Sequence, residues 1–131
     1  MSTNEMQNRI DILLPDFFVS RETLEKFIKY RELLVQWNEY ASLVQRETLD
    51  KFVDRHLVDS IQIVKHIASD RVSVLDVGSG AGFPGLVLSI LGYKNVTLVE
   101  LNKKKSLCAK ISRTNLAGES PAVEGKASPT T

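Results

Sequence analysis

The sequence predicts an α/β chain in which an N-terminal helical unit precedes the first βαβ unit of a parallel, incomplete sheet. Three features predict it. Apolar residues recur at helical spacing through residues 4–69. The β-branched, apolar run Val72-Ser73-Val74-Leu75-Asp76-Val77 then stops at a glycine-rich turn. A second buried-strand pattern, Val96-Thr97-Leu98-Val99-Glu100, follows after a short apolar segment.

Within the helical unit, a first helix is expected over residues 5–14, stopped by Pro15. A second starts after Ser20 as N-cap and turns Leu24, Phe27, Ile28, Leu34, Val35 and Trp37 toward a partner. A third places Leu49, Phe52, Val53, His56, Leu57, Ser60, Ile61 and Val64 on one face. After the glycine turn, residues 86–91 form a buried helix closed by Gly92. The two strands it joins should be parallel with a right-handed connection. Residues 103–115 read as a further helix with Leu107, Cys108 and Ile111 inward and Lys103, Lys104, Lys105, Lys110 and Arg113 outward. The stretch 117–131 is rich in Ala, Gly, Ser, Pro and Thr, with Val123 its one large apolar side chain, and is expected not to pack. The organisation is therefore 1–70 helical, 71–116 the start of a Rossmann-like domain and 117–131 a disordered tail.

Composition narrows the function. The 131 residues are 43% hydrophobic and 25% charged with a net charge of +1, so any basic surface is local and the total charge draws the chain to neither nucleic acid nor membrane. The lone Cys108 excludes an internal disulfide and a thiolate metal cluster and suits a reducing cytosol. No metal is implied. The N-terminus lacks the apolar core of a signal peptide, and no apolar run is long enough to span a bilayer, which gives the expectation of a soluble, cytoplasmic protein.

From Gly80 the turn matches G-x-G-x-x-G through Gly82 and Gly85, with Glu100 at the next strand end, a pattern that fits dinucleotide binding. Asp76 argues against that ligand. It is a carboxylate at the carboxyl end of the first strand, two residues before Gly78, and it would face a pyrophosphate across a partly desolvated site. S-adenosylmethionine instead brings an ammonium and a sulfonium, which a carboxylate favours, while Glu100 is placed to accept from both ribose hydroxyls. A P-loop is excluded because no Gly-Lys-Ser/Thr follows. The competing reading makes the glycines a tight turn, Asp76 a cap of the following helix and Glu100 a solvated strand-end acid. Similarly, Arg55 and Asp59 at i,i+4 suit an ion pair, His56 on an apolar stripe suits a core histidine, and Trp37-Asn38 suits a packing anchor and its cap.

Trp37-Asn38, Arg55-His56-x-x-Asp59-Ser60 and Leu75-Asp76-Val77-Gly78-Ser79-Gly80-Ala81-Gly82-Phe83-Pro84-Gly85 together resemble the glucose-inhibited division protein B family, the ribosomal RNA small-subunit methyltransferases G. The likeness runs over residues 27–116. It implies an S-adenosylmethionine-dependent methyltransferase fold that acts on N7 of a guanosine in small-subunit (16S) ribosomal RNA, with the RNA or the 30S subunit as partner. It also implies that Gly78 and Phe83 line the cofactor, beside Asp76, Gly80 and Gly82, which the strand-end and glycine pattern already assigns to a methyl donor, that Glu100, Leu101 and Asn102 run along its ribose and adenine, and that Arg55 and His56 lie near the active-site mouth. Ser42-Leu43-Val44 stands where the family has Asn-Leu-Thr. Lys126-Ala127-Ser128 is the best match to an Arg-Ala-Glu triplet whose last two residues flank the adenine, so Ala127 and Ser128 are the adenine-side candidates and the acid is missing. The family's remaining strands have no counterpart, and the sheet is expected to be truncated.

Guanine N7 carries an exposed lone pair, so transfer to it needs no general base, and no acid–base pair stands out as catalytic. The basic run at Lys103-Lys104-Lys105, with Lys110 and Arg113, is either a phosphate contact or a solvated helix face. The alternative function is a catalytically inactive fragment that binds RNA or a protein partner through its helices.

Overall fold

The computed structural model describes residues 1–45, 49–78 and 83–117, together with the backbone of 123–124. Helix α1 spans Thr3–Leu13 and α2 spans Arg21–Ala41. Both are capped by the serine that precedes them: Ser2 Oγ accepts from the Glu5 N–H at 3.1 Å and Ser20 Oγ from the Thr23 N–H at 3.2 Å. α2 ends where Ser42 takes a left-handed conformation, and Asn38 Oδ1 accepts from the Val44 N–H at 3.0 Å. Asn38 is thus a cap, as its place after Trp37 suggests.

The third helical stretch is not one regular helix. It opens as a π-helical turn over Phe52–Leu57, continues as α3 over Val58–Gln62 and tightens to a 3₁₀ turn over Ile63–His66. Phe52, Val53, Leu57 and Val58 of this stretch all lie in the core. Arg9 clasps Asp54 of this turn with two parallel hydrogen bonds, Nε to Oδ1 at 2.8 Å and Nη2 to Oδ2 at 2.6 Å, and ties it to α1. Each partner favours the other's charged form, so the Asp54 carboxyl is held below its ordinary range. Forty-five residues separate the pair in sequence, beyond the reach of any local pattern.

Strand β1 is Val74–Val77, α4 is Gly85–Ile90, β2 is Val96–Val99, α5 is Lys103–Ala117 and β3 is Val123–Glu124. The sheet order is β1-β2-β3 with both pairings parallel, and Asp76 lies opposite Leu98. A sequential parallel order with right-handed crossovers puts α4 and α5 on the same face. Every residue of α4 is buried, because it forms a middle layer between the sheet and the N-terminal helices. One continuous core results, running from Met6 through Phe27, Tyr30, Phe52 and Leu57 to Leu88 and Leu98.

Four expectations need correction. Val35 is 45% exposed, and the inward positions of α2 are Leu24, Phe27, Tyr30, Leu33 and Leu34. On α5, Leu107 faces out and Arg113 is only 3% exposed, the reverse of the expected arrangement. Cys108 is buried as expected, but the other buried residues of α5 are Ser106, Ala109, Ser112, Arg113 and Leu116, mostly small side chains that let α2 and α4 approach closely, so hydrophobicity alone did not find most of the inward face. Arg113 Nη2 donates to Ser89 Oγ at 3.1 Å, and burial lowers the guanidinium pKa. Finally, Val123–Glu124 do pair, since the open edge of β2 offers backbone partners whatever the side chains. The rest of 118–131 lies outside the described residues.

The Trp37 ring meets Tyr40 edge-on at 5.9 Å, but its Nε1–H is buried with no hydrogen-bond partner among the described residues. Such an orphaned donor costs about 1–3 kcal/mol. Trp37→Phe removes that donor but also part of a ring packed on the core, and the two effects oppose, so its thermal midpoint is expected to stay within a few degrees of the parent's. A calorimetric scan checks this, and a larger drop would show that removing the donor relieves no penalty.

Candidate functional site

The site forms at the carboxyl ends of β1 and β2, where parallel strands leave their last side chains beside the crossover helices. Asp76, half-buried, accepts the Gly85 N–H at 2.9 Å through Oδ2. This bond does hold the start of α4, as the capping interpretation requires. A carboxylate has acceptor capacity beyond one such bond, however, and here desolvation raises its pKa while the Gly85 N–H only partly offsets that. A cation arriving beside Asp76 would relieve the penalty; a phosphate would add to it.

Gly78 follows β1 with φ +73, a conformation that side-chain-bearing residues rarely adopt, and its N–H donates to Val99 O at 2.7 Å. That bond carries the pairing one step past β1 and sets Gly78 alongside the end of β2, where Glu100 begins. Glu100 is 9% exposed, and its Oε2 accepts the Asn102 N–H at 2.9 Å. The Asn102 side chain in turn accepts the Lys105 N–H at 3.1 Å and caps α5, while Leu101 is exposed beside them. Asp76, Gly78, Glu100, Leu101 and Asn102 are therefore gathered along one rim. Gly80, Gly82, Ala127 and Ser128 lie outside the described residues.

On the other side of Asp76, Phe83 leads into Gly85 and stacks on His56, with centroids 4.6 Å apart and planes at 13°. A groove of about 240 Å³ opens there between Arg55, His56, Asp59, Ser60, Phe83 and Pro84. The π turn and α3 supply its first four residues. His56 is thus neither a fully buried core residue nor free on the surface; burial lowers its pKa, Asp59 opposes that and Arg55 reinforces it. Arg55 and Asp59 form no ion pair among the described residues, and both instead flank His56. Tyr30, which the sequence pattern did not single out, and Phe52, which it placed on the apolar face of the third helix, belong to this region, and their rings pack on Phe83 at 5.3 and 6.1 Å. Only a periodicity centred on Tyr30, one turn after Phe27, would have pointed to the first.

The described residues contain no group of three or more metal-ligating side chains, and no helix among them is long and apolar enough to cross a membrane. Among the lysines of α5, Lys103, Lys104 and Lys110 are exposed, and Lys104 Nζ sits 5.0 Å from the Tyr40 ring centroid. Arg113, being buried, leaves that basic face.

The family described as rRNA small subunit methyltransferase G, GidB, matches residues 23–116, well over half of the chain. The chain belongs to this family. The Ribosomal RNA small subunit methyltransferase G of Orientia tsutsugamushi strain Boryong is 48% identical over 101 residues, which are 77% of this chain and 51% of that protein. The protein of the same name from Rickettsia akari is 40% identical over 102 residues, 75% of this chain and 53% of its own length. That from Rickettsia prowazekii is 38% identical over 89 residues, 68% of this chain and 47% of its own. The chain thus spans about half the length of these curated GidB relatives. No solved structure matches it. The matched segment includes β1, the glycine turn and Glu100, so the rim and the groove both lie within the GidB-like part of the chain.

Proposed function

We propose that this chain carries the donor-binding half of an S-adenosylmethionine-dependent ribosomal RNA methyltransferase that modifies N7 of a guanosine in small-subunit RNA, in the cytoplasm. One observation carries the donor: two carboxylates, Asp76 and Glu100, stand at adjacent parallel strand ends on either side of Gly78, and the first is partly desolvated without a cationic partner among the described residues. Asp76 would face the positively charged methionyl portion and Glu100 the ribose hydroxyls, with Leu101 and Asn102 beside the adenine. Gly80 and Gly82 are assigned to the same ligand by the glycine pattern, and Ala127 and Ser128 by family resemblance. When bound, the donor supplies an electrophilic methyl group. The protein's share is to orient it and to exclude water with Phe83 and His56, since a ring nitrogen with a free lone pair needs no base. Arg55 and the exposed α5 lysines supply positive charge on the RNA side.

Calorimetric titration with S-adenosylmethionine tests the donor assignment. Asp76→Ala is expected to weaken binding by about 1–3 kcal/mol, the cost of a lost charge-assisted hydrogen bond. Equal affinity in a folded mutant rules Asp76 out. The same carboxyl predicts a pH dependence. Its pKa is raised in the folded chain, so protonation, which removes its charge and its attraction for a cationic donor, sets in at a higher pH than for an ordinary carboxylate. Donor affinity should therefore fall as the solution is acidified toward and through the carboxylate range, and the fall should be shallower in Asp76→Asn, which keeps only Glu100.

The alternative, an inactive fragment that binds RNA or a protein partner, is favoured by the bare sheet face that carries Leu75 and Val77, 64% and 68% exposed. A chain that shifts small-subunit RNA in a gel but gives no heat with S-adenosylmethionine would support it.

A further inference from the structure

Tyr30 comes from the middle of α2, far in sequence from the rim, yet it is 0% exposed and packed against the floor of the site. Its ring meets Phe52 edge-on, at 5.8 Å and 88°, and leans on Phe83 at 5.3 Å and 38°. Phe52 and Phe83 also touch, at 6.1 Å, so the three rings brace one another. Phe83 then presents a face to His56 in the groove, and two residues later Gly85 donates to Asp76. A displacement of Phe83 is therefore felt both at the His56 wall and at the Asp76 carboxylate. The Asp76 charge also reaches Tyr30, adding to the desolvation that keeps its hydroxyl protonated. Phe27, on the same face of α2 and equally buried, makes no ring contact with this cluster among the described residues.

We infer that Tyr30 is a positioning residue for the methyl-donor site: its ring fixes Phe83, which holds the His56 stack on one side and the Gly85–Asp76 bond on the other. The inference rests on the donor assignment above for its effect on binding, but not for its effect on His56.

The test uses Tyr30→Leu, Tyr30→Phe and Phe27→Leu. The chain has two histidines, so a His66→Gln background leaves His56 as the sole imidazole signal in an NMR pH titration of the ligand-free protein. In Tyr30→Leu, the His56 ring protons should lose the upfield shift caused by the Phe83 ring. The His56 pKa should also climb back toward the ordinary histidine value as the imidazole gains water, with Asp59 still raising it and Arg55 still lowering it. Tyr30→Phe, which keeps the ring, and Phe27→Leu, which disturbs only the core, should leave both signals in place. In calorimetry, Tyr30→Leu should bind S-adenosylmethionine about tenfold more weakly and Tyr30→Phe within about twofold of the parent. If Tyr30→Leu does not fold, Tyr30→Met, whose unbranched and flexible side chain adapts better to the space left by the ring, takes its place. An unmoved His56 signal in the folded Leu or Met variant overturns the inference, as does an equal shift in Phe27→Leu. If the parent binds no S-adenosylmethionine, the donor assignment fails, while the His56 titration still decides the role of Tyr30.

Discussion

Gly85→Val is expected to abolish donor binding and to lower the thermal midpoint by several degrees. Gly85 is the first residue of α4 and lies directly on the sheet. A Cβ built there overlaps Leu98 Cδ2 and sits 2.9 Å from Asp76 Oδ2 and 3.0 Å from Asp76 Cβ. Leu98 is fully buried in the middle of β2 and has no room to turn away. The helix must therefore lift off the strands, at about 1–3 kcal/mol for overpacking a filled core. Lifting breaks the Gly85–Asp76 hydrogen bond and shifts Phe83, so both walls of the site move at once. Gly85→Ala should fall between parent and valine in stability and in affinity. Calorimetric scans and donor titrations check both, and a valine variant with parental affinity would falsify the claim that α4 positions Asp76. The third glycine of the fingerprint is thus explained by helix–sheet contact, with no ligand needed to account for it.

How much of this was legible in the sequence follows from the range of each interaction. The strands, the glycine turn and the Ser20 cap are local signals, and the structure places β1, β2, α1 and α2 close to where those signals put them, while the Ser2 cap of α1, equally local, was not anticipated. Asp76 and Glu100 were legible because strand ends in a βαβ unit come together by topology. The π turn was not, since no residue preference marks the extra residue per turn, and what surrounds the turn, α1 and the Phe83 ring, comes from distant parts of the chain. The inward face of α5 was misjudged for a related reason: close helix packing selects Ser and Ala, which carry little hydrophobic signal. Arg9–Asp54 and the Tyr30–Phe52–Phe83 ring cluster join segments distant in sequence, and only coordinates reveal them.

By itself, the 131-residue chain is expected to transfer methyl groups to small-subunit RNA at background level and to self-associate. Both crossover helices cover one face of the sheet, whereas parallel sheets are ordinarily buried on both. On the other face Leu75 and Val77 stand in water, 64% and 68% exposed, and among the described residues β1 pairs with β2 alone, which leaves its outer edge open there. No charge on those two side chains opposes edge-to-edge pairing, and a net charge of +1 gives little repulsion between copies. The groove beside His56 is shallow and lined from one side by the π turn and α3, so a guanine held there has few groups to align it with the donor. Leu75→Lys with Val77→Lys should therefore reduce association in sedimentation velocity while leaving donor affinity intact, because neither side chain faces the α4 side where Asp76 meets Gly85. Radiolabelled transfer to under-methylated small subunits measures the activity. Robust turnover by a monodisperse parent chain would mean that the described sheet suffices, and that its bare face is no handicap to catalysis.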